Sequence, residues 1–244
     1  METKTRTKTL PLLPIAAAVL LLAHASAART GDGRDTVPTV DRGSRSTVPM
    51  QHAQVRLEYN ATDDDAEAVI VVDAGVGFTR LAIFGPSGKL MHEIRAQNGG
   101  VGLTKMPMET PEPSLEEVEA AYPEGTYRFR GRTVDGSELT GEAIVSHALL
   151  SPPTITAPVA DASDVAVADL TVSWQPVAGA ASYVVELEDD AVPAAVKADL
   201  PGAASSFTFS GGWLRPDTSY VLSLGAVGAN GNVVYSELRF RTRA

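Results

Sequence analysis

The stretch LTVSWQPVAGAASYVVELED, residues 170–189, holds two short runs of alternating apolar and polar residues, parted by a turn of small ones. A period of two puts Leu170, Val172 and Trp174 on one face of an extended chain, and Tyr183, Val185 and Leu187 on one face of the next. A helix would scatter both sets around its axis, so only strands gather them. The alternation returns in VRLEY from Val55 and AVIVVD from Ala68. It continues in TRLAIF and KLMHEIRA around residues 85–88, and in TYRFRGRT and SELTGEAIV around Asp135 and Gly136. The last two pairs read as hairpins. Ile155 and residues 207–209, 220–227 and 233–240 add further strands, separated by turn residues as in a sandwich. One helix interrupts the pattern. In PEPSLEEVEAAYPEG, Ser114 and Glu117 make a capping box, Leu115, Val118 and Tyr122 share a face, and Pro123 ends the element.

The chain has no cysteine, so its stability rests on buried cores and not on cross-links. That absence also removes thiol catalysis and cysteine metal ligands. Residues 1–28 have a basic start (Lys4, Arg6, Lys8), a short apolar run broken by Pro11 and Pro14, and small residues at Ala25, Ser26 and Ala27. This is the pattern of a cleaved secretory signal peptide, and it implies export to a periplasm or to the extracellular space, with no membrane span after cleavage. Residues 29–50 mix Gly, Ser, Thr, Pro, Asp and Arg with little apolar content and read as a disordered tether. The formal charge is −10, and removal of the leader makes the balance more acidic. A field of that sign argues against nucleic acid and anionic lipid as general partners.

The sequence SPP at 151–153 marks a boundary between residues 51–150 and residues 151–244. In the second part, LTVSWQPV, SYVVEL, LRPDTSYVLSLGAV and YSELRFRT together resemble a fibronectin type III domain. The resemblance implies a β-sandwich with Trp174 and Tyr183 in its core, and with the Tyr220 hydroxyl bonded back to nearby backbone as a folding device. Cell-binding members of that family carry R-G-D in the loop between the last two strands. Here the loop reads GANGN, residues 228–232, so that activity is not implied. The first part is similar to bacterial immunoglobulin-like modules in YPEGTYRFRGRTVDG, where Tyr127 parallels Tyr220. The fold class expected is therefore all-β, two tandem immunoglobulin-like or fibronectin type III sandwiches with one short helix in the first. As a whole the chain resembles exported bacterial fibronectin-type proteins of unassigned activity.

No residue group announces a reaction. GPSGK fails as a phosphate loop, because Ile83 and Leu90 stand where a glycine and a hydroxyl residue are needed. After the leader, His52, His92 and His147 lie far apart without metal-ligand spacing, and His92, between Leu90 and Ile94, reads as a half-buried packing residue. The dense polar groups are two acidic stretches: Asp63, Asp64, Asp65 and Glu67, and Glu186, Glu188, Asp189 and Asp190. Each concentrates oxygen ligands of the kind calcium takes, but no known loop spacing organises them, so solvated turns are favoured over a metal site. Asn60 and Thr62 form a glycosylation sequon. Trp213 falls outside the core on alternation, with packing against a loop or the other domain as the favoured explanation. No catalytic, cofactor-binding or metal residue is assigned, and no cofactor is expected. The function expected is a non-enzymatic binding or spacer protein, acting through sandwich loops on an envelope protein or polysaccharide. The alternative is an accessory module or weak hydrolase acting on envelope glycans through the acidic loops. The oligomeric state is left open.

Overall fold

The computed structural model describes residues 46–97, 100–192 and 195–244. The expected leader, and the expected tether up to residue 45, lie outside the described residues. The end of that tether segment is ordered into a strand: β1 (Thr47–Pro49) pairs in parallel with β7 (Glu138–Val145).

The first lobe is built around one bent strand. β3 (Asp65–Phe84) follows β2 (His52–Asn60) and crosses from one layer to the other. Its first half pairs with β2 on one side and with β5 (Leu103–Glu109) on the other. The second half pairs with β4 (Leu90–Arg95) and with β6 (Gly125–Thr133), which in turn pairs with β7. Sequence alternation predicted two strands where this single one runs, because AGVG at residues 74–77 looks like a turn. At Gly75 the backbone takes φ +68° and its N–H donates to Asp73 Oδ1 at 3.0 Å, so the chain folds over a corner without ending the strand. Val55, Leu57, Ala68, Ile70 and Val72 then face Phe78, Leu81, Ile83, Phe129 and Leu139 across one core. Each such side chain contributes about 1.5–3 kcal/mol by leaving water.

Helix α1 (Leu115–Ala121) has both halves of the expected capping box: Glu117 N–H donates to Ser114 Oγ, and Ser114 N–H donates to Glu117 Oε2. Val118 and Tyr122 are buried in the lobe core and Leu115 packs against it, as the spacing predicted. Tyr127, stacked beside Tyr122, donates its hydroxyl to Pro123 O at 3.1 Å, four residues upstream.

The second lobe is the sandwich implied by the resemblance. One sheet has the order β12 (Ser206–Phe209), β9 (Leu170–Gln175), β8 (Thr154–Ala157). The other has β11 (Ala195–Pro201), β10 (Ser182–Asp189), β13 (Ser219–Val227) and β14 (Val233–Arg241). Leu170, Val172 and Trp174 meet Tyr183, Val185 and Leu187 between them, with the Trp174 and Tyr183 rings 5.3 Å apart. Tyr220 Oη accepts the Arg215 N–H at 2.8 Å, the expected corner, and its ring stacks on Phe240. Tyr183 Oη likewise accepts from Val177 N–H.

The two lobes share a sheet, a feature without counterpart in the sequence reading. β14 pairs in parallel with β2, Val233 opposite Glu58 and Tyr235 opposite Asn60, so one sheet runs from β1 through both lobes to β11. Asn232 pins the join. Its Oδ1 accepts Leu57 N–H at 2.9 Å, and its Nδ2 donates to Ser146 O and Ala148 O in the irregular connection between the lobes. Thr62 adds a second tie, its Oγ1 accepting Glu237 N–H at 2.8 Å.

Candidate functional site

The strands β3, β2, β14 and β10 place their alternate residues on the face of the shared sheet that points away from both lobe cores. Glu67, Glu58, Tyr235 and Glu186 lie on this face, with β13 between β14 and β10. Alternation alone would expose them. Instead Glu58, Glu67 and Glu186 are only 5%, 4% and 3% exposed, and Tyr235 packs with Val184 and Val233 into a small apolar cluster at the join.

Glu58 and Glu67 are directly opposed across β2 and β3. Arg56 Nε donates to Glu58 Oε1 at 2.8 Å, which leaves Glu67 without a cation of its own. Burial, reinforced by the charges of Glu58, Glu109 and Glu112 and eased by Arg56, pushes the Glu67 carboxyl up to about 8. On the far side, burial raises Glu186 against the pull of Lys197, whose Nζ lies 3.3 Å from Oε2. That approach is too oblique for a hydrogen bond, so Oε2 keeps no donor. Burial also raises Glu237, which accepts from Ser223 Oγ at 2.8 Å. Burial first, then the charges of Glu58 and Glu186, drive the Tyr235 hydroxyl well above its ordinary range.

The two acidic stretches are thus each split by alternation. Glu67 and Glu186 turn into the seam. Asp189 accepts from Arg215 Nε at 2.9 Å, and Asp190 pairs with Arg239, which neutralises the turn that followed ELE. Asp64, with φ +59°, accepts from Tyr59 Oη at 3.0 Å, and Asn60 Oδ1 caps its own turn by accepting Thr62 N–H. Among the described residues no group of three or more His, Asp or Glu is placed to hold a metal ion.

The other singled-out residues stay apart. His92 is half-buried, as predicted: it stacks on Tyr122, its Nε2 lies 2.9 Å from the Tyr122 hydroxyl, and burial lowers its pKa. His147 sits on the inter-lobe connection, Nε2 against Tyr122 O at 2.8 Å. Trp213 corrects the packing expectation. It is 59% exposed while Leu214 beside it enters the core, because Gly212, at φ +101°, turns the loop so that only one of the pair faces inward. Glu67 and Glu186 were singled out as parts of acidic turns, but their burial, and Glu58 altogether, escaped sequence reasoning, since parity marks all three as solvent-facing. Among the described residues no helix is long and apolar enough to cross a membrane.

No family model and no curated protein matches the chain. Solved structures do. The FN1–FN3 domains of chicken CNTN1 share 16% identity over 83% of this chain at a TM-score of 0.34, and the chain spans 66% of that structure's length. An FN3 domain of human collagen XX shares 20% identity over 39% of this chain and 96% of its own length, TM-score 0.32. The Clostridium thermocellum CbhA fibronectin(III)-like modules share 9% identity over 80% of this chain and 93% of theirs, TM-score 0.31. Values of that size leave the fold to rest on the coordinates themselves. The solved structures to which this chain is similar are fibronectin type III domains.

Proposed function

We propose that the chain is an exported, non-enzymatic binding module whose two sandwiches act as one rigid platform. The observation that carries this reading is the pairing of β14 with β2. Two sandwiches joined only by a linker would tumble independently, whereas a shared sheet holds their loops at fixed spacing. Preset spacing lowers the entropy lost when loops on both lobes engage one partner. An envelope protein or polysaccharide is the expected partner class, and Trp213 is the exposed aromatic best suited to anchor it. Export rests on the leader pattern at residues 1–28.

The hydrolase reading has one observation in its favour, the raised carboxyl of Glu67 beside Glu58. Their burial works against it, because a general acid must reach the bond it protonates and a sugar ring cannot enter a seam this closed. One experiment separates the readings. Immobilised full chain is used to capture partners from native envelope extract, while the same preparation is screened against glycans and esters. Specific capture, weakened by Trp213→Ala, with no product release supports the module. Turnover abolished by Glu67→Gln in a folded variant would replace it with the hydrolase.

A further inference from the structure

The chain's charge of −10, which opposes anionic lipid as a general partner, is not spread evenly over the faces of the first lobe. Its two layers enclose one core, so their outer faces point in opposite directions. The outer face of β2 and the first half of β3 carries the acidic seam. The opposite face, formed by β4, the second half of β3, β6 and β7, carries five arginines against three glutamates. Arg128 pairs with Glu142 and Arg130 with Glu138. The surplus collects in one row, with Arg80 directly opposite Arg95 on one side and Arg132 on the other, and with Glu138 of β7 opposite Arg132 at its end. Arg80 and Arg95 share the carboxylate of Glu93, and Arg132 donates to the carbonyl of Gly136, while the Glu138 opposite it pairs with Arg130. Like charges opposed in this way destabilise a sheet, and Glu93 and Glu138 offset three arginines with two carboxylates, one of which Arg130 also claims.

Beside that row stands an apolar pole. Val76, Leu103 and Val134 are each 38% exposed and Val101 is 72% exposed. They come from three different segments and converge. Val134 N–H donates to Gly77 O at 2.9 Å, and Leu103 pairs with Phe78. A side chain at Gly77 would lie 2.5 Å from Val101 O, and one at Gly102 would lie 2.8 Å from Val134 Cγ2, so the glycines let the segments abut. Val134 opens the turn just past β6, two residues after Arg132. Two acids near the pole have partners of their own. Asp73 pairs with Lys105, and Asp135 turns into its own loop, where it accepts from Ser137 N–H and Thr133 Oγ1.

We propose that this pole of the first lobe docks on an anionic phospholipid surface, the four aliphatic tips entering the headgroup region and Arg80, Arg95 and Arg132 taking lipid phosphates. A contiguous apolar tip with a cationic collar one strand-step behind it matches that boundary, where apolar and anionic layers are stacked in the same order. A hydrated polysaccharide fits less well, because none of the four tip residues is aromatic and sugar rings gain little from isolated valines. The proposal rests on the binding-module reading and names one partner for it.

The test is vesicle flotation of the full chain, with phosphatidylcholine alone and with phosphatidylcholine mixed with phosphatidylglycerol, at low and high salt. Comparing variants in the same full chain holds every contribution from elsewhere constant, residues 1–28 included. Val101→Asp with Val134→Asp changes exposed positions only and is expected to lower partition into the anionic vesicles by roughly tenfold or more at unchanged melting temperature. Arg132→Gln should lower it about fivefold. High salt and removal of phosphatidylglycerol should do the same. Partition indifferent to these variants and to lipid charge would overturn the proposal. So would retention on dextran sulfate in place of vesicles, or self-association in sedimentation velocity that the double variant abolishes. Failure here alongside successful envelope capture removes only the lipid assignment; failure of both removes the module reading.

Discussion

Glu67→Gln tests the account of the seam. The folded carboxyl sits at about 8, against an ordinary 4.5 for an unburied glutamate. Below the ordinary value the group is protonated in both states and costs nothing. As pH rises, the unfolded carboxyl ionises first while the folded one keeps its proton, so stability falls until the folded group ionises and the loss is complete. The full shift, at about 1.4 kcal/mol per unit, sets an upper limit of about 5 kcal/mol. Solvent near the rim of the seam and the adjacent Arg56 screen part of it, leaving about 1–3 kcal/mol. Glutamine keeps the shape and stays neutral, so the variant should match the parent near pH 4 and exceed it by that amount near pH 9. For a chain of this size that is a melting-temperature gap of roughly 2–12 °C at alkaline pH, closing in acid. The difference between variant and parent is the quantity to read, because the arginine-paired carboxylates Glu93 and Asp189 are lowered and shift the stability of both proteins the opposite way. Parallel denaturation curves at the two pH values would refute the buried, cation-poor placement of Glu67.

Three further outcomes follow from single contacts. Asn232→Ala leaves Leu57 N–H and Ser146 O without partners inside the join and should cost about 2–4 kcal/mol in urea denaturation, whereas a surface asparagine would cost almost nothing. Tyr220→Phe removes the acceptor for Arg215 N–H while keeping the ring on Phe240, so a loss of about 1–2 kcal/mol is expected, and no loss would deny the corner its folding role. Trp213→Ala should change stability by less than about 0.5 kcal/mol and still weaken partner capture; a large loss of stability would mean that the ring is packed after all.

Much of the molecule was legible locally. The faces of β9 and β10 followed from parity, α1 from its capping box, and the hydroxyl bond of Tyr220 from the resemblance. What was missed shares a physical cause, the absence of a local signal. β5 reads LTKMPME, in which only Met106 and Met108 turn toward the core and Pro107 suggests a break; an edge strand tolerates that proline because its outer side has no ladder partner. β11 offers Ala195, Ala198 and Asp199 in place of a β-branched run, and it forms because Lys197 and Leu200 sit opposite Glu186 and Tyr183. The join of β14 to β2 brings together residues 175 apart in sequence, so no window of sequence contains it. For the same reason Glu58, Glu67 and Glu186 read as solvated: what buries them lies across neighbouring strands and not along the chain. The arginine row was equally hidden, since Arg80, Arg95 and Arg132 become neighbours only across strands.

Amide hydrogen exchange along the join tests the rigid-platform claim most directly. The account expects the amides of Leu57 and Ala61, which donate to Asn232 Oδ1 and Tyr235 O, to be protected as strongly as those in the middle of β3 and β13, and to exchange with them in one cooperative opening. Exchange at the rate of an exposed loop, or lobes that open separately, would mean two independent sandwiches that merely touch.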